Sequence, residues 1–354
     1  MTTNSNKENH MLAKFAYCVT ASLMLFSLLI PSSTLQAQDY RELFKKLDSS
    51  VVTIHSLEVV NSEQGLRPKR SVGSGVIVSK DGAIMTAAHV VHTADQIVVK
   101  FVDGTAVPAQ IVSSVSGADV ALIKVEKIPA TASVATLGDS DKTAPGEPAL
   151  VIGAPFGIEH SLSVGHVSGL QTRPVIAGGT SLKVIQIDAS VNHGNSGGPL
   201  FNDKGELVGI VSHILSEGGG FDGIGFAVAT NAAKTILFDQ SPIWTGFEGL
   251  LLPPEMNAML NVPQKSALLV QRVSLNSIAA KAGLRGGTDQ ITFRGRNVWV
   301  GGDIILEIQN TVCDCPKSFE NLSRSLKAIP PGESIKVKVL RAGKVVELDF
   351  TSEK

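Results

Sequence analysis

Between Val51 and Ala229 the chain is a succession of short apolar runs, each broken after a few residues by glycine, proline, asparagine or aspartate. Runs of this length, rich in Val, Ile and Ala, predict many short strands joined by tight turns. The expected strands are 51–57, 75–78, 83–87, 96–101, 105–112 and 120–125, with a second set between residues 148 and 229. A short amphipathic helix over 40–47 leads into the first of them. Residues 58–70 are polar, contain Gly65 and Pro68, and read as a surface loop, while 131–141 reads as a linker between the two strand sets. A helix over 231–240 closes this half.

From Trp244 the pattern changes. Residues 277–284 form a short capped helix ending on Gly283. Residues 318–329 form a longer helix with Phe319, Leu322, Leu326 and Ile329 on one face, ended by Pro330-Pro331-Gly332. Ile335, Val337 and Val339 alternate against Val346, Leu348 and Phe350 around Arg341-Ala342-Gly343-Lys344 as a hairpin. Residues 286–302 predict an additional hairpin, 291–293 against 298–300.

The length of 354 residues allows two or three domains, and sparse aromatics with 34 glycines suit the many short strands. A formal net charge of -1 gives no electrostatic case for nucleic acid or an acidic membrane surface. Residues 15–30 are uncharged and mostly apolar, follow Lys7 and Lys14, and are closed by Pro31 and Leu35-Gln36-Ala37-Gln38. That is the layout of a secretory signal peptide cleaved after Ala37. An uncleaved anchor is the alternative, although this run falls just short of the about 17 to 25 residues of a spanning helix. Either way the remainder is exported, periplasmic or otherwise outside the cytoplasm. Cys18 lies in this segment. Cys313 and Cys315 flank Asp314, a spacing too short for an unstrained disulfide and too poor in sulfur for structural zinc, so they are either structurally incidental or a labile redox bridge.

The chemistry concentrates in Gly194-Asn195-Ser196-Gly197-Gly198-Pro199. A turn of small residues exposes the Ser196 hydroxyl and converges backbone N–H groups on one point, as acyl transfer requires for an oxyanion. Such a turn could equally join two strands, but two other segments decide between the readings. An apolar run ends in His89, and Asp119 heads another. In the order His89, Asp119, Ser196 they match the chymotrypsin arrangement. His89 would take the serine proton and return it to the leaving amine, and Asp119 would fix the imidazole tautomer. The candidate oxyanion hole is Gly194, Asn195 and Ser196, with Asn195 holding the turn. His92 raises a rival His-x-x-His metal pair, but no carboxylate or cysteine cluster accompanies it, so no metal or cofactor is expected.

These segments, with Gly73-Ser74-Gly75-Val76-Ile77, Ile152-Gly153-Ala154-Pro155-Phe156-Gly157 and Gly223-Ile224-Gly225-Phe226-Ala227, resemble in content and order the HtrA/Deg family of trypsin-like serine proteases with PDZ domains. The resemblance covers nearly everything after residue 40. It implies a mostly β fold: a chymotrypsin-like double β-barrel over 40–240 and one α+β PDZ domain over 245–354, behind the segment 1–37. It further implies an ATP-independent serine endopeptidase acting on unfolded or mislocalised exported proteins, a homotrimer joined through the N-terminal segment around Tyr40 and Phe44, and PDZ capture of peptide C-termini.

Three positions qualify that picture. Ser190 stands where tryptic enzymes hold an acid, so with Ile210 and Ile214 the substrate pocket should take small to medium apolar side chains, with Asp188 read as structural. Asn195 cannot make the ion pair that activates chymotrypsin zymogens, which points to loop ordering at 160–179 and 216–223. The peptide-binding residues implied by resemblance are Phe247, Glu248, Gly249 and Leu250, yet Glu248 replaces an apolar residue and Pro253-Pro254 shortens the strand. Other readings are a holdase chaperone or peptide-binding scaffold, and a membrane-anchored regulatory protease with one dedicated substrate.

Overall fold

Alternation in the sequence becomes the inside and outside of a barrel. In Gln96–Lys100, Ile97 and Val99 are buried while Gln96 and Val98 face solvent. A computed structural model describes residues 39–62, 65–157, 160–174, 181–214, 222–240, 243–313 and 332–351. The expected signal segment, the helix over 318–329 and Cys315 lie outside these residues, as do parts of the 160–179 and 216–223 loops.

Helix α1 (Arg41–Asp48) precedes strands β1 (Val51–Ser62), β2 (Gly65–Ile77), β3 (Ala83–Thr86), β4 (Gln96–Lys100), β5 (Ala106–Val115) and β6 (Val120–Val125), with helix α2 (Ala88–Val91) after β3. The six strands close as β1-β2-β3-β6-β5-β4, all neighbours antiparallel. Ile54, Ile77, Ile84, Ile123, Val99 and Phe101 fill the interior at no more than 1% exposure. Each such side chain contributes roughly 1.5–3 kcal/mol by leaving water.

The stretch 58–70 is not a loop. β1 and β2 continue as a two-stranded ribbon beyond the barrel, in register from Val51↔Val76 to Ser62↔Gly65. The β2 side of the ribbon is exposed and residues 58–60 of β1 are half-buried without alternation, so its sequence concealed it, and Pro68 is accommodated on the exposed strand opposite Val59.

The second barrel uses β8 (Pro148–Gly153), β9 (Ser161–Pro174), β10 (Ser181–Ile187), β11 (Pro199–Phe201), β12 (Glu206–Ile214) and β13 (Gly225–Ala229), after the short β7 (Thr136–Leu137). Their order β11-β8-β9-β10-β13-β12 closes through β11–β12, and β7 joins β12 in parallel. Val151, Ile185, Ile187, Leu200, Val211 and Ala227 form its core. α3 (Thr230–Lys234) follows and runs into a single π-helical segment at Thr235–Asp239.

A third sheet is built from β14 (Phe247–Leu251), β15 (Leu268–Val273), β18 (Ile304–Ile308), β19 (Thr311–Val312), β20 (Ser334–Arg341) and β21 (Lys344–Thr351), in the order β14-β15-β18-β20-β21 with β19 beside β18. The additional hairpin is β16 (Asp289–Phe293) with β17 (Arg296–Val300). Val298 of this hairpin and Met256 of α4 (Pro254–Met259), a helix that the Pro253-Pro254 pair starts, enclose a small apolar core with Leu269 and Leu306. α5 (Ile278–Lys281) is capped by the Ser277 hydroxyl, which accepts from the Ala280 amide at 3.1 Å. Cys313 is buried in the main core of this sheet.

The C-terminal sheet contains a fully buried carboxylate. Asp303 receives Arg341 Nε and one terminal nitrogen at 2.7 Å each, and the Arg285 amide at 2.8 Å. Removing one partner of a buried pair leaves an uncompensated charge. Arg341→Ala is therefore expected to destabilise this sheet by about 3–5 kcal/mol, read as an earlier denaturant transition, with Asp303→Asn milder because the amide oxygen still accepts from Arg285.

Candidate active site

α2 begins directly after β3, and burial of Ala88, Val90 and Val91 on its inner side leaves His89 facing outward with half of its side chain exposed. Asp119 follows the 3-10 turn Ser116–Ala118 in the left-handed region, φ 52°, a conformation Asp tolerates better than most residues. That backbone turn aims the carboxylate at α2. His89 Nδ1 lies 2.9 and 3.0 Å from its two oxygens, and the His89 amide donates to it at 3.0 Å. The Ser212 hydroxyl donates to the other side of the same carboxylate. Nδ1 must carry the proton that faces the carboxylate, so Nε2 of neutral His89 is the free acceptor.

Ser196 comes from the other barrel. Its hydroxyl donates to the Ser212 carbonyl at 3.3 Å, so Ser212 touches both the acid and the serine. Ser212 was not singled out in the sequence. The signal it left is one hydroxyl residue among apolar neighbours in β12, only 2% exposed.

Ser74 holds the serine turn. Its amide donates to the Ser196 carbonyl at 2.8 Å, its hydroxyl donates to the Gly194 carbonyl at 2.6 Å, and the Ala154 amide donates to that hydroxyl at 3.0 Å. Thr86 Oγ1 donates to the Ser74 carbonyl at 2.7 Å. Gly197, at φ 82°, is pressed so closely onto this group that a Cβ would stand 2.1 Å from Thr86 Oγ1 and 2.3 Å from the Ser74 carbonyl. Only glycine satisfies both the backbone angle and the approach.

The Asn195 amide is committed to Asn192 O at 3.0 Å, so Asn195 holds the turn and is removed from the expected oxyanion donors. The Gly194 and Ser196 amides have no protein acceptor among the described residues and are available to a developing oxyanion.

Ser190 is exposed, and its carbonyl accepts a long 3.5 Å bond from Asn195 Nδ2. Asp188 is turned toward β9, where it accepts from the His166 amide at 2.5 Å. Ile210 is fully buried, paired with Pro199 and Val228, and so is closed off from solvent inside the barrel. The Ile214 side chain lies outside the described set. Phe247, Glu248, Gly249 and Leu250 lie together on β14, paired with β15 and bulged between Glu248 and Gly249. His92 is used structurally: the Ser114 hydroxyl meets Nδ1 at 2.8 Å, and Nε2 donates to the Phe247 carbonyl at 2.9 Å.

Electrostatics match this geometry. Partial desolvation pulls His89 down, but the hydrogen bond and charge of Asp119 outweigh it and hold the imidazole above its ordinary value. Burial pushes Asp119 up, yet the His89 contacts and the Ser212 bond together keep it below the usual carboxylate range. For His92 burial dominates over the Phe247 carbonyl and the Glu248 charge, and its pKa is lowered.

Two closed six-stranded antiparallel barrels, with a histidine–aspartate pair on one and a serine turn on the other, define the class of trypsin-like serine peptidases. Residues 73–210 match the family model of the trypsin-like peptidase domain. The chain is 32% identical over 339 residues to a probable periplasmic serine endoprotease DegP-like of Marinomonas sp. (strain MWYL1), covering 84% of this chain and 70% of that relative. Identity to the corresponding protein of Halomonas elongata is 34% over 283 residues, covering 78% of this chain and 55% of the relative, so the chain spans little more than half of that protein. The periplasmic pH-dependent serine endoprotease DegQ of Escherichia coli (strain K12) is 32% identical over 296 residues, covering 82% and 61% respectively. Among solved structures, the HtrA-type protease AlgW with decapeptide aligns at a TM-score of 0.51 and 28% identity, over 88% of this chain and 98% of that one. The chain belongs to the HtrA/Deg family of trypsin-like serine proteases.

Three outcomes are expected from this geometry. Ser74→Ala should lower kcat by about 10- to 100-fold with a smaller effect on KM, because it loosens the Gly194 and Ser196 backbone without touching substrate. Peptide hydrolysis against pH should show a rising limb on the alkaline side of an ordinary histidine, since only neutral imidazole accepts a proton and Asp119 raises its pKa. Asp119→Asn should move that limb to lower pH and cut kcat by about 10⁴-fold.

Proposed function

We propose that the protein is an ATP-independent serine endopeptidase with His89, Asp119 and Ser196 as its triad. The observation that carries this reading is the chain of contacts across the two barrels, in which His89 meets Asp119 and Ser212 meets both Asp119 and Ser196. Ser196 Oγ attacks the scissile carbonyl as His89 Nε2 takes its proton. Asp119 stabilises the resulting imidazolium, and the Gly194 and Ser196 amides receive the oxyanion. The proton then passes to the leaving amine, and water completes the acyl-enzyme cycle in the reverse sense.

The relatives' printed names favour a periplasmic or otherwise exported location, and membership of the HtrA/Deg family supports unfolded or mislocalised proteins as substrates. With Ser190 offering no counter-charge to a cation, and Asp188 spent on β9, cuts fall after small or medium apolar residues. Residues 40–240 act as the protease domain and 245–354 as a PDZ domain, where peptide C-termini bind beside β14 and favour the ordered active state. The working assembly is a homotrimer.

The decisive experiment uses unfolded casein. The purified protein is expected to degrade it without ATP and in the presence of chelator, with most cuts after Val, Ala, Ile, Leu or Thr by mass spectrometry, and Ser196→Ala to abolish cleavage while leaving the circular dichroism spectrum unchanged. Undiminished cleavage by Ser196→Ala would overturn the mechanism, and protection of casein from aggregation without cleavage would favour the holdase reading.

A further inference from the structure

The C-terminal sheet is seated directly on the helix that carries His89. Trp244 Nε1 donates to the His92 carbonyl at 2.9 Å, one turn past His89, and His92 Nε2 donates to the Phe247 carbonyl. Alongside, Ser274 Oγ donates to the Ala94 carbonyl at 3.0 Å, and the Leu275 amide donates to Asp95 Oδ1 at 2.6 Å. This seat encloses a cavity of about 190 Å³, whose walls include Glu58, Lys69, Ser71 and His89 from the barrel and Glu248 and Arg272 from the C-terminal sheet. Its volume corresponds to about six waters, room for one long polar side chain.

Its charges are unevenly placed: three carboxylates, Glu58, Asp119 and Glu248, share the wall with Arg272, Lys69 and His89, but the cations pair with the first two. Glu58 is taken up by Arg272 at 2.5 Å and by Lys69 at 3.9 Å, and Asp119 is taken up by His89. Glu248 remains, exposed and with no hydrogen-bond or ion-pair partner among the described residues. The backbone beside it is anchored where the Phe247 carbonyl accepts from His92, and Glu248 forms part of the wall.

The location defines which half of a substrate meets it. His89 returns its proton to the leaving amine, so the chain that follows the cut departs past His89. Neither Ser190 nor Ser196 lines the cavity, which places it away from the acyl side. Ser71 lies three residues before Ser74 on β2, about 10 Å along an extended strand, the distance an extended substrate covers in about three residues.

We propose that this cavity is a substrate subsite built jointly by the first barrel and the C-terminal sheet, in which Glu248 selects Lys or Arg within the first three residues after the scissile bond. The inference rests on the endopeptidase reading for its orientation and goes beyond it in assigning substrate chemistry to the leaving half. It also gives Glu248 a role that capture of a peptide carboxylate does not, since an acid repels that group.

The test uses internally quenched peptides identical up to the cut, with Lys, Gln or Glu at the first, second or third residue after it. For the full chain the Lys-to-Glu ratio of kcat/KM should be about two- to fivefold at one of these positions, the scale of a solvent-accessible ion pair. Glu248→Gln should bring the ratio to about one, and Glu248→Lys should invert it. Fluorescence anisotropy of the same peptides on Ser196→Ala should show the same ratios in Kd. A ratio unmoved by either Glu248 substitution, or a charge preference that appears only before the cut, overturns the subsite. Ratios that hold in binding while no peptide is cleaved would remove the endopeptidase reading and leave the subsite standing.

Discussion

The backbone contact between the two barrels at Ser74 and Gly197 is the constraint on which the site depends. A serine hydroxyl and an imidazole on separate sheets become a reacting pair only if the sheets are locked to within a fraction of an ångström. Here the lock is made of buried main-chain groups: Ser74 N on the Ser196 carbonyl, Thr86 Oγ1 on the Ser74 carbonyl, and Gly197 against both. Thr86 ends the strand that delivers α2 and His89, so one contact sets the positions of His89 and Ser196 together. Such bonds cost little to keep and much to lose, because each leaves a buried polar group unpaired when broken.

From that lock outward, each further element refines orientation. The left-handed backbone at Asp119 turns the carboxylate toward α2, and Ser212 ties carboxylate and serine to one strand of the second barrel. The resulting balance of charge favours a protonated imidazole next to an ionised carboxylate. Desolvation opposes both charges individually, and their pairing overcomes it.

The C-terminal sheet adds a second constraint at the same helix. Trp244, Phe247, Ser274 and Leu275 all meet the segment from His92 to Asp95, immediately after His89. These contacts place the C-terminal sheet within one turn of the imidazole. The shared hydrogen bonds give a physical route for communication between the two regions, through contacts rather than through distance.

Much of this was legible in the sequence. Short alternating runs located both strand sets, because period-two burial is a local property, and the order His89, Asp119, Ser196 with the glycine-rich turn marked the chemistry. The ribbon of β1 and β2 was not legible, since an exposed β2 side and an evenly half-buried β1 side leave no hydrophobic alternation. Ser74 appeared only as part of a motif and Ser212 not at all, because a hydroxyl in a strand shows its role only when the opposite barrel supplies the carbonyl or carboxylate it meets. Asn195 kept its expected place in the turn but lost its place among the oxyanion donors to a bond with Asn192 O. Sequence alone thus determined which residue types could perform acyl transfer and between which strands they fall. Tertiary structure decided which of their polar atoms meet, because hydrogen-bond partners 80 to 120 residues apart are chosen by packing and not by local pattern.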